Sequence, residues 1–407
     1  MIRETVEKQN AIIKYGLFIL NPFFGLLATL GDLKSKSSYR VFFLFCLLVG
    51  IGFTVPSGKT SYYTGDGAKY RQNFERIAFN PNKTFEETYK KYTQFDEGDK
   101  DLYSISVYYL VSGFTTNYHW MFFFFAFVFG YFMLKSFKFL TDNKEFTNSL
   151  YCFALAFIFI MSNSIANING VRFWTAAWIA VYCVFQIIVN KNKKYFILAI
   201  ITPVIHVSYF VFLAILLIAF FTKSRNNFWF VLFLISFFVS SFAQELLKAV
   251  ENALPAFISR TIALYTDEDV IAQKEESRAW FVNIFSFAKL FLLNLIVYVL
   301  YRNKTILFKG KEKVYNLFSF LLVYMTFVNF TSSVLSLGGR FLFLTLPIIT
   351  YIWLFTLKDI KKYNILLLLF LFVFAFDFYG QFKLLFKATE IEFYIASPIY
   401  LIYNQLF

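Results

Sequence analysis

Cysteine and histidine are scarce in this chain, at three and two residues among 407. Cys46, Cys152 and Cys183 lie in apolar stretches, where cysteine serves as a small apolar residue. Their spacing supports neither a disulfide framework nor a metal site, and neither a metal nor a cofactor is expected. A cleavable signal peptide pattern is missing, so the first apolar segment is kept as structure. No internal repeat is visible, which counts against a transporter built from repeated halves. The acidic run Asp96-Glu-Gly-Asp-Lys-Asp101 lacks the calcium-binding loop with its terminal Glu and reads as a solvated turn. Asn82-Lys-Thr84 is a formal glycosylation triplet of little weight. Charged residues make up only 16% of the chain.

What abounds is apolar. Such residues make up 58% of the chain, in runs of about 17 residues or more, the length that spans a hydrocarbon core. A water-soluble fold would need polar faces on these runs, and they have few. The chain therefore reads as an all-α, polytopic membrane protein forming one domain over residues 1–407. The net charge of +14 invites a nucleic-acid reading until the charges are placed. Nineteen of the 39 Lys and Arg fall in six short connections, 31–40, 135–144, 190–195, 222–227, 302–313 and 358–362. That pattern marks the cytoplasmic side of a bilayer rather than a phosphate-tracking patch, and no nucleic-acid partner is expected.

Taken in order, the apolar runs suggest about twelve transmembrane or half-membrane helices. Ala11–Leu30 is interrupted by Asn21-Pro22, which kinks or breaks a helix, so it either spans or re-enters. Val41–Val55 crosses outward to a long external loop, about 57–104, with eight cations and eight anions. Ile105–Thr116 is short and reads as an interfacial or re-entrant helix. Tyr118–Leu134, Asn148–Ile165 and Val171–Val189 cross in turn. Tyr195–Phe221 has basic groups at both ends, which two short half-spans turning near Pro203 and His206 would keep on one side. Phe228–Phe242 leads to a second external loop, 243–279, with a candidate amphipathic helix ended by Pro255. Trp280–Leu300, Val314–Leu335, Phe341–Leu357 and Ile365–Gly380 complete the set.

Three arginines fall at external membrane edges: Arg172, Arg278 and Arg340. The guanidinium fork grips phosphate or carboxylate through two parallel hydrogen bonds. Glycines just before Arg172 and Arg340 leave backbone room for an anionic group, and the helix opening at Arg340 presents its N-terminal end there. The plain alternative is that each arginine snorkels to lipid headgroups. For proton transfer, Asp66 follows the second segment between two glycines, and His206 offers an imidazole, the side chain suited to act as a base or to donate to phosphate. A turn aspartate, and a packing histidine bonded to Ser208, are the corresponding bland readings. Asp377 and Lys289 are the charges deep in apolar spans; they either pair or face a polar cavity.

These motifs resemble the EpsG-like branch of Wzy-type polysaccharide polymerases of O-antigen, capsule and exopolysaccharide synthesis. The resemblance rests on Asp66 with Tyr70 after the second segment, Asn169-Gly-Val-Arg172 opening a span, Ile205-His206-Val-Ser208 in the next, and Gly338-Gly-Arg340 opening a late one. Members often carry an arginine just after the second segment, where residues 52–60 here hold only Lys59. The resemblance implies a glycosyltransferase that uses no nucleotide sugar. Its donor would be a glycan on undecaprenyl diphosphate, its acceptor a lipid-linked repeat unit, and its reaction at the outer face of the bacterial cytoplasmic membrane. Membrane lipid and a chain-length regulator protein are the further partners implied. Arg172, Arg340 and more weakly Arg278 would hold the diphosphate, and Asp66 or His206 would be the base. Tyr70, Asn169 and Ser208 would contact substrate. A flippase of lipid-linked sugars and a polysaccharide ligase or acyltransferase are the competing classes.

Overall fold

The structure is a computed structural model that describes residues 2–55, 66–80, 84–93, 101–222, 225–240, 242–253, 259, 263, 279–334 and 337–407. Among these residues the fold is helical without strands; a lone antiparallel bridge joins Phe53 to Thr389. Helices satisfy every backbone group internally, which is what hydrocarbon surroundings demand. The order is α1 (Ile2–Leu20), α2 (Pro22–Leu30), α3 (Lys36–Ile51), α4 (Asp66–Ala78), α5 (Phe85–Thr93), α6 (Leu102–Ser112), α7 (Tyr118–Thr141), α8 (Leu150–Met161) and α9 (Val171–Val184). Then follow α10 (Phe196–Ile205), α11 (Tyr209–Thr222), α12 (Asn226–Phe238), α13 (Phe242–Val250), α14 (Trp280–Arg302) and α15 (Glu312–Phe330). Next come α16 (Gly338–Leu342), α17 (Thr345–Thr356) and α18 (Asn364–Ala388), and the chain ends in two short helices, Glu392–Ile395 and Pro398–Leu406.

Among the described residues six segments are long and apolar enough to cross a membrane, or seven if the bent pair Asn226–Phe238 and Phe242–Ala249 counts as one span. Full spans are fewer than the twelve transmembrane or half-membrane helices expected, since several of the apolar runs are short helices paired in hairpins. Ala11–Leu30 is such a hairpin. Asn21 caps α2 by accepting from the Phe23 amide, and Gly25 then packs directly on Phe18, so the chain reverses. Residues 195–222 also double back, with Phe196 and Phe220 in edge contact at 5.2 Å and Lys193 lying over the Phe220 ring. The forty-residue segment Leu150–Val189 folds on itself through a 3₁₀ turn at Ile165–Gly170. Phe159 of one leg stacks on Trp178 of the other at 5.7 Å.

The tightest pairing joins α3 to α7. A methyl group on Gly50 would lie 2.5 Å from the Ala126 side chain and 2.6 Å from the Phe122 carbonyl oxygen, and one on Gly130 would lie 3.0 Å from Cys46. Small residues four apart on both helices, 46/50 and 126/130, let the backbones close in, as membrane helix pairs do.

All six basic connections meet on one face. Lys34 reaches the Asn143 carbonyl at 3.0 Å, and Lys358 the Glu145 carbonyl at 2.8 Å. Lys191 pairs with Glu312 at 2.9 Å, Lys304 bonds Asn227 at 2.8 Å, and Lys311 bonds the Phe355 carbonyl at 2.6 Å. Since α9 and its π-helical end, Phe185–Val189, run from Arg172 toward Lys191, Arg172 stands at the opposite end, roughly 25 Å away at 1.5 Å per residue.

Candidate active site

The site is built from α4. The Gly67 amide donates to Asn169 Oδ1 at 3.0 Å, and a methyl group on Gly67 would fall 2.5 Å from that oxygen. Glycine is therefore required by a close approach, and Asn169 holds α4 against the 3₁₀ turn before α9. Asp66 and Tyr70, four residues apart on one helical face, line a cavity of about 360 Å³ with Lys69, Arg76, Glu87, Asp101 and Arg172.

Arg172 lies at the start of α9. Its Nε donates to the Tyr70 hydroxyl at 3.3 Å and its Nη1 to Asp101 Oδ2 at 2.7 Å. The guanidinium carbon sits 5.6 Å from the Tyr70 ring centre. Burial raises the Tyr70 pKa above its usual range, partly offset by Arg172, so the phenol keeps its proton at neutral pH. Its oxygen accepts from Arg172, which leaves the O–H to donate elsewhere. Asp66 is exposed.

Asp101 was legible only as part of a solvated acidic turn; residues 94–100 lie outside the described residues, but Asp101 itself is buried, its side chain 4% exposed. It occupies the N-cap position of α6 yet makes no side-chain cap bond. The carboxylate turns instead to Arg172 and, through Oδ1, accepts the Val207 amide at 3.1 Å. One group thus ties α6, α9 and the turn between α10 and α11.

That turn holds His206 and Ser208. His206 Nδ1 lies 2.8 Å from Ser208 Oγ and accepts from the Ser208 amide at 3.3 Å, which puts the proton of a neutral ring on Nε2. His206 does not line the Arg172 cavity; its ring meets Phe173 edge-on at 5.3 Å. Arg340 is exposed and its guanidinium lies over the same Phe173 ring at 5.6 Å, so Arg340 and His206 flank one aromatic side chain beside Arg172. The helix opening at Arg340 runs Gly338–Leu342 and, after a turn at 343–344, continues as Thr345–Thr356. Gly338 is needed for packing, since a methyl group there would strike the Thr331 carbonyl at 2.6 Å, whereas Gly339 borders open space. Arg278 lies outside the described residues.

Arg71 also escaped the sequence reading. Its Nη1 donates to the Val55 carbonyl at 2.5 Å, its Nε to Glu75 at 2.7 Å, and its guanidinium stacks on Tyr118 at 4.1 Å. It reaches back to the end of the second segment, where the local sequence offers only Lys59, itself outside the described residues. The missing signal was the helical register of α4, which places Tyr70 and Arg71 on different sides. The deep charges do pair, with Lys289 Nζ 2.9 Å from Asp377 Oδ1.

A helical membrane-integral protein with a charged cavity at the end away from its lysine-rich connections defines the class. The chain belongs to the EpsG family, which it matches over residues 38–395, a family associated with glycosyltransferase-like polysaccharide polymerase activity. No curated protein and no solved structure matches it.

Proposed function

We propose that this chain is a bacterial repeat-unit polymerase. It transfers a glycan from undecaprenyl diphosphate to a sugar hydroxyl of an incoming lipid-linked repeat unit, at the outer face of the cytoplasmic membrane. The observation that carries this reading is Arg172, held by Asp101 and Tyr70 in a cavity at the end opposite the lysine connections. The anomeric carbon–oxygen bond breaks as the acceptor oxygen bonds to that carbon, and undecaprenyl diphosphate leaves. Charge growing on the diphosphate needs fixed donors. The remaining guanidinium N–H groups of Arg172 and the Tyr70 O–H supply them, with Lys69, Arg76 and the neighbouring Arg340 adding positive charge. The acceptor proton passes to a carboxylate. Asp66 suits that role better than Asp101, because Asp66 is exposed in the cavity while Asp101 is committed to Arg172 and Val207. His206, beside Phe173, orders the neighbouring turn with Ser208.

A flippase would move its cargo along a polar path through the bundle; the charges of the apolar spans, Lys289 and Asp377, pair with each other across two helices, which favours the transferase reading. The test is to incubate purified protein with its lipid-linked repeat unit and follow chain length. A ladder from the wild type that is lost in Arg172→Ala, at equal protein level, supports the assignment. No ladder from the wild type overturns the polymerase, and a ladder that survives both Arg172→Ala and Arg340→Ala overturns the diphosphate role.

A further inference from the structure

On the other side of the 165–170 turn lies a second cleft, of about 230 Å³, lined among others by Ser162, Asn167, Trp174, Phe343, Asp377 and Gln381. We infer that it is a subsite for one uncharged sugar ring of the lipid-linked glycan, an inference that rests on the transferase reading above for the identity of the substrate.

The first argument is charge. Asp377 is compensated by Lys289 at 2.9 Å, and the Lys289 ammonium also lies over the Phe343 ring, so the cleft carries neither a spare cation for phosphate nor a net negative charge for a cation. The second is hydrogen-bonding capacity. Asp377 Oδ2 is buried without a hydrogen-bond partner, and a buried acceptor is costly until a donor reaches it. Asn167 uses one Nδ2 hydrogen on Asn163 at 2.9 Å, leaving the amide oxygen as another acceptor and a second N–H as a donor. Gln381 is held at both ends, its oxygen accepting the Ser164 amide at 2.9 Å and its amide nitrogen donating to the Met161 carbonyl, so it shapes the cleft.

The third argument is the wall. Trp174 is half-buried and stands at 83° to Phe343 with ring centres 6.2 Å apart. Aromatic faces beside unfilled acceptors suit a ligand with C–H faces and O–H edges. An alkyl chain would leave Asp377 Oδ2 unsatisfied. At roughly 30 Å³ of liquid per water, the volume equals that of about eight waters, enough for one ring. Asn167 and Trp174 flank Arg172 in sequence, so the cleft and the arginine cavity share the 165–170 turn and the start of α9.

The test uses the full-length protein in a detergent without a sugar headgroup, with methyl glycosides of glucose, galactose, rhamnose and N-acetylglucosamine as probes in saturation-transfer NMR. At least one glycoside should receive saturation. Gly380→Leu should cut it at least fivefold: Gly380 lines the cleft, and a Cβ there meets nothing within 4 Å, so the leucine side chain has room to start from the helix and fill the cleft. Asp377→Asn should weaken binding several-fold, and Arg172→Ala should leave it unchanged. No saturation in the wild type, or a signal that survives Gly380→Leu, overturns the subsite. So does native mass spectrometry showing that Gly380→Leu expels a bound lipid while glycoside binding persists. Binding needs no turnover, so its failure is separable from a missing polymer ladder.

Discussion

Two ion pairs that tie separate parts of the bundle, Arg172–Asp101 and Lys289–Asp377, have nearly equal lengths, 2.7 and 2.9 Å, and opposite loose ends. In the first, the carboxylate is 4% exposed and engaged through both oxygens. The cation, 33% exposed, still has N–H groups beyond those bonded to Asp101 and Tyr70. In the second, the cation is occupied by Asp377 and the Phe343 ring, and a carboxylate oxygen is left over. A pair in a low-dielectric setting advertises whichever partner has spare capacity. Spare donors suit an anion and spare acceptors suit hydroxyl groups, so the two sides of the 165–170 turn are complementary to the two halves of a diphosphate-linked sugar.

The comparison breaks most decisively at Arg172. Arg172→Ala should cut polymer formation by about 10²–10³-fold, the scale of losing an electrostatic donor to a developing oxyanion. Arg172→Lys should recover little, because a point charge does not replace the fork; full activity in the lysine variant would show that only charge matters. Asp101→Ala should lower both activity and unfolding stability, the latter by about 1–3 kcal/mol. Asp101→Ala combined with Arg172→Ala should cost less stability than the sum of the two, since a shared contact is lost only once. Strict additivity in a denaturation cycle would mean the pair does not act as a unit.

At the second pair, Lys289→Met alone leaves Asp377 buried without its cation and should destabilise clearly, whereas Lys289→Met with Asp377→Leu should come back near wild-type stability, within about 1 kcal/mol. Equal losses in the single and double variants would refute that account. The smallest effect belongs to Gly339→Ala, beside Arg340 and facing open space. It should change neither thermal stability nor ladder length, and a marked loss of activity with unchanged stability would reveal a ligand passing close to that backbone.

Much of this arrangement could be read from residue order. Lysine placement identified the connections that the structure gathers on one face, and Pro203 with His206 marked the break between α10 and α11. Arg172 stood out because a cation opened an apolar span. Asp101 did not, because its burial depends on Arg172 and the Val207 amide, which are 71 and 106 residues away. In isolation it is another aspartate in an acidic turn. Arg71 was hidden because helical register, not distance along the chain, returns it to Val55. Whether Ala11–Leu30 spans or turns back was left open for the same kind of reason: Gly25 meeting Phe18 makes a reversal that apolar content alone does not announce.

Asp101 has a consequence for the order in which the protein is made. Its carboxylate gathers segments from both sides of residues 118–161, and the last of them, the Val207 amide, leaves the ribosome only after half the chain has been synthesised. Until then the guanidinium has an incompletely held counterion, and the pocket has no finished wall. A nascent chain halted before that turn would still lack this tie, and Arg340 and Asp377 follow later still, so the site is completed only from the second half of the chain.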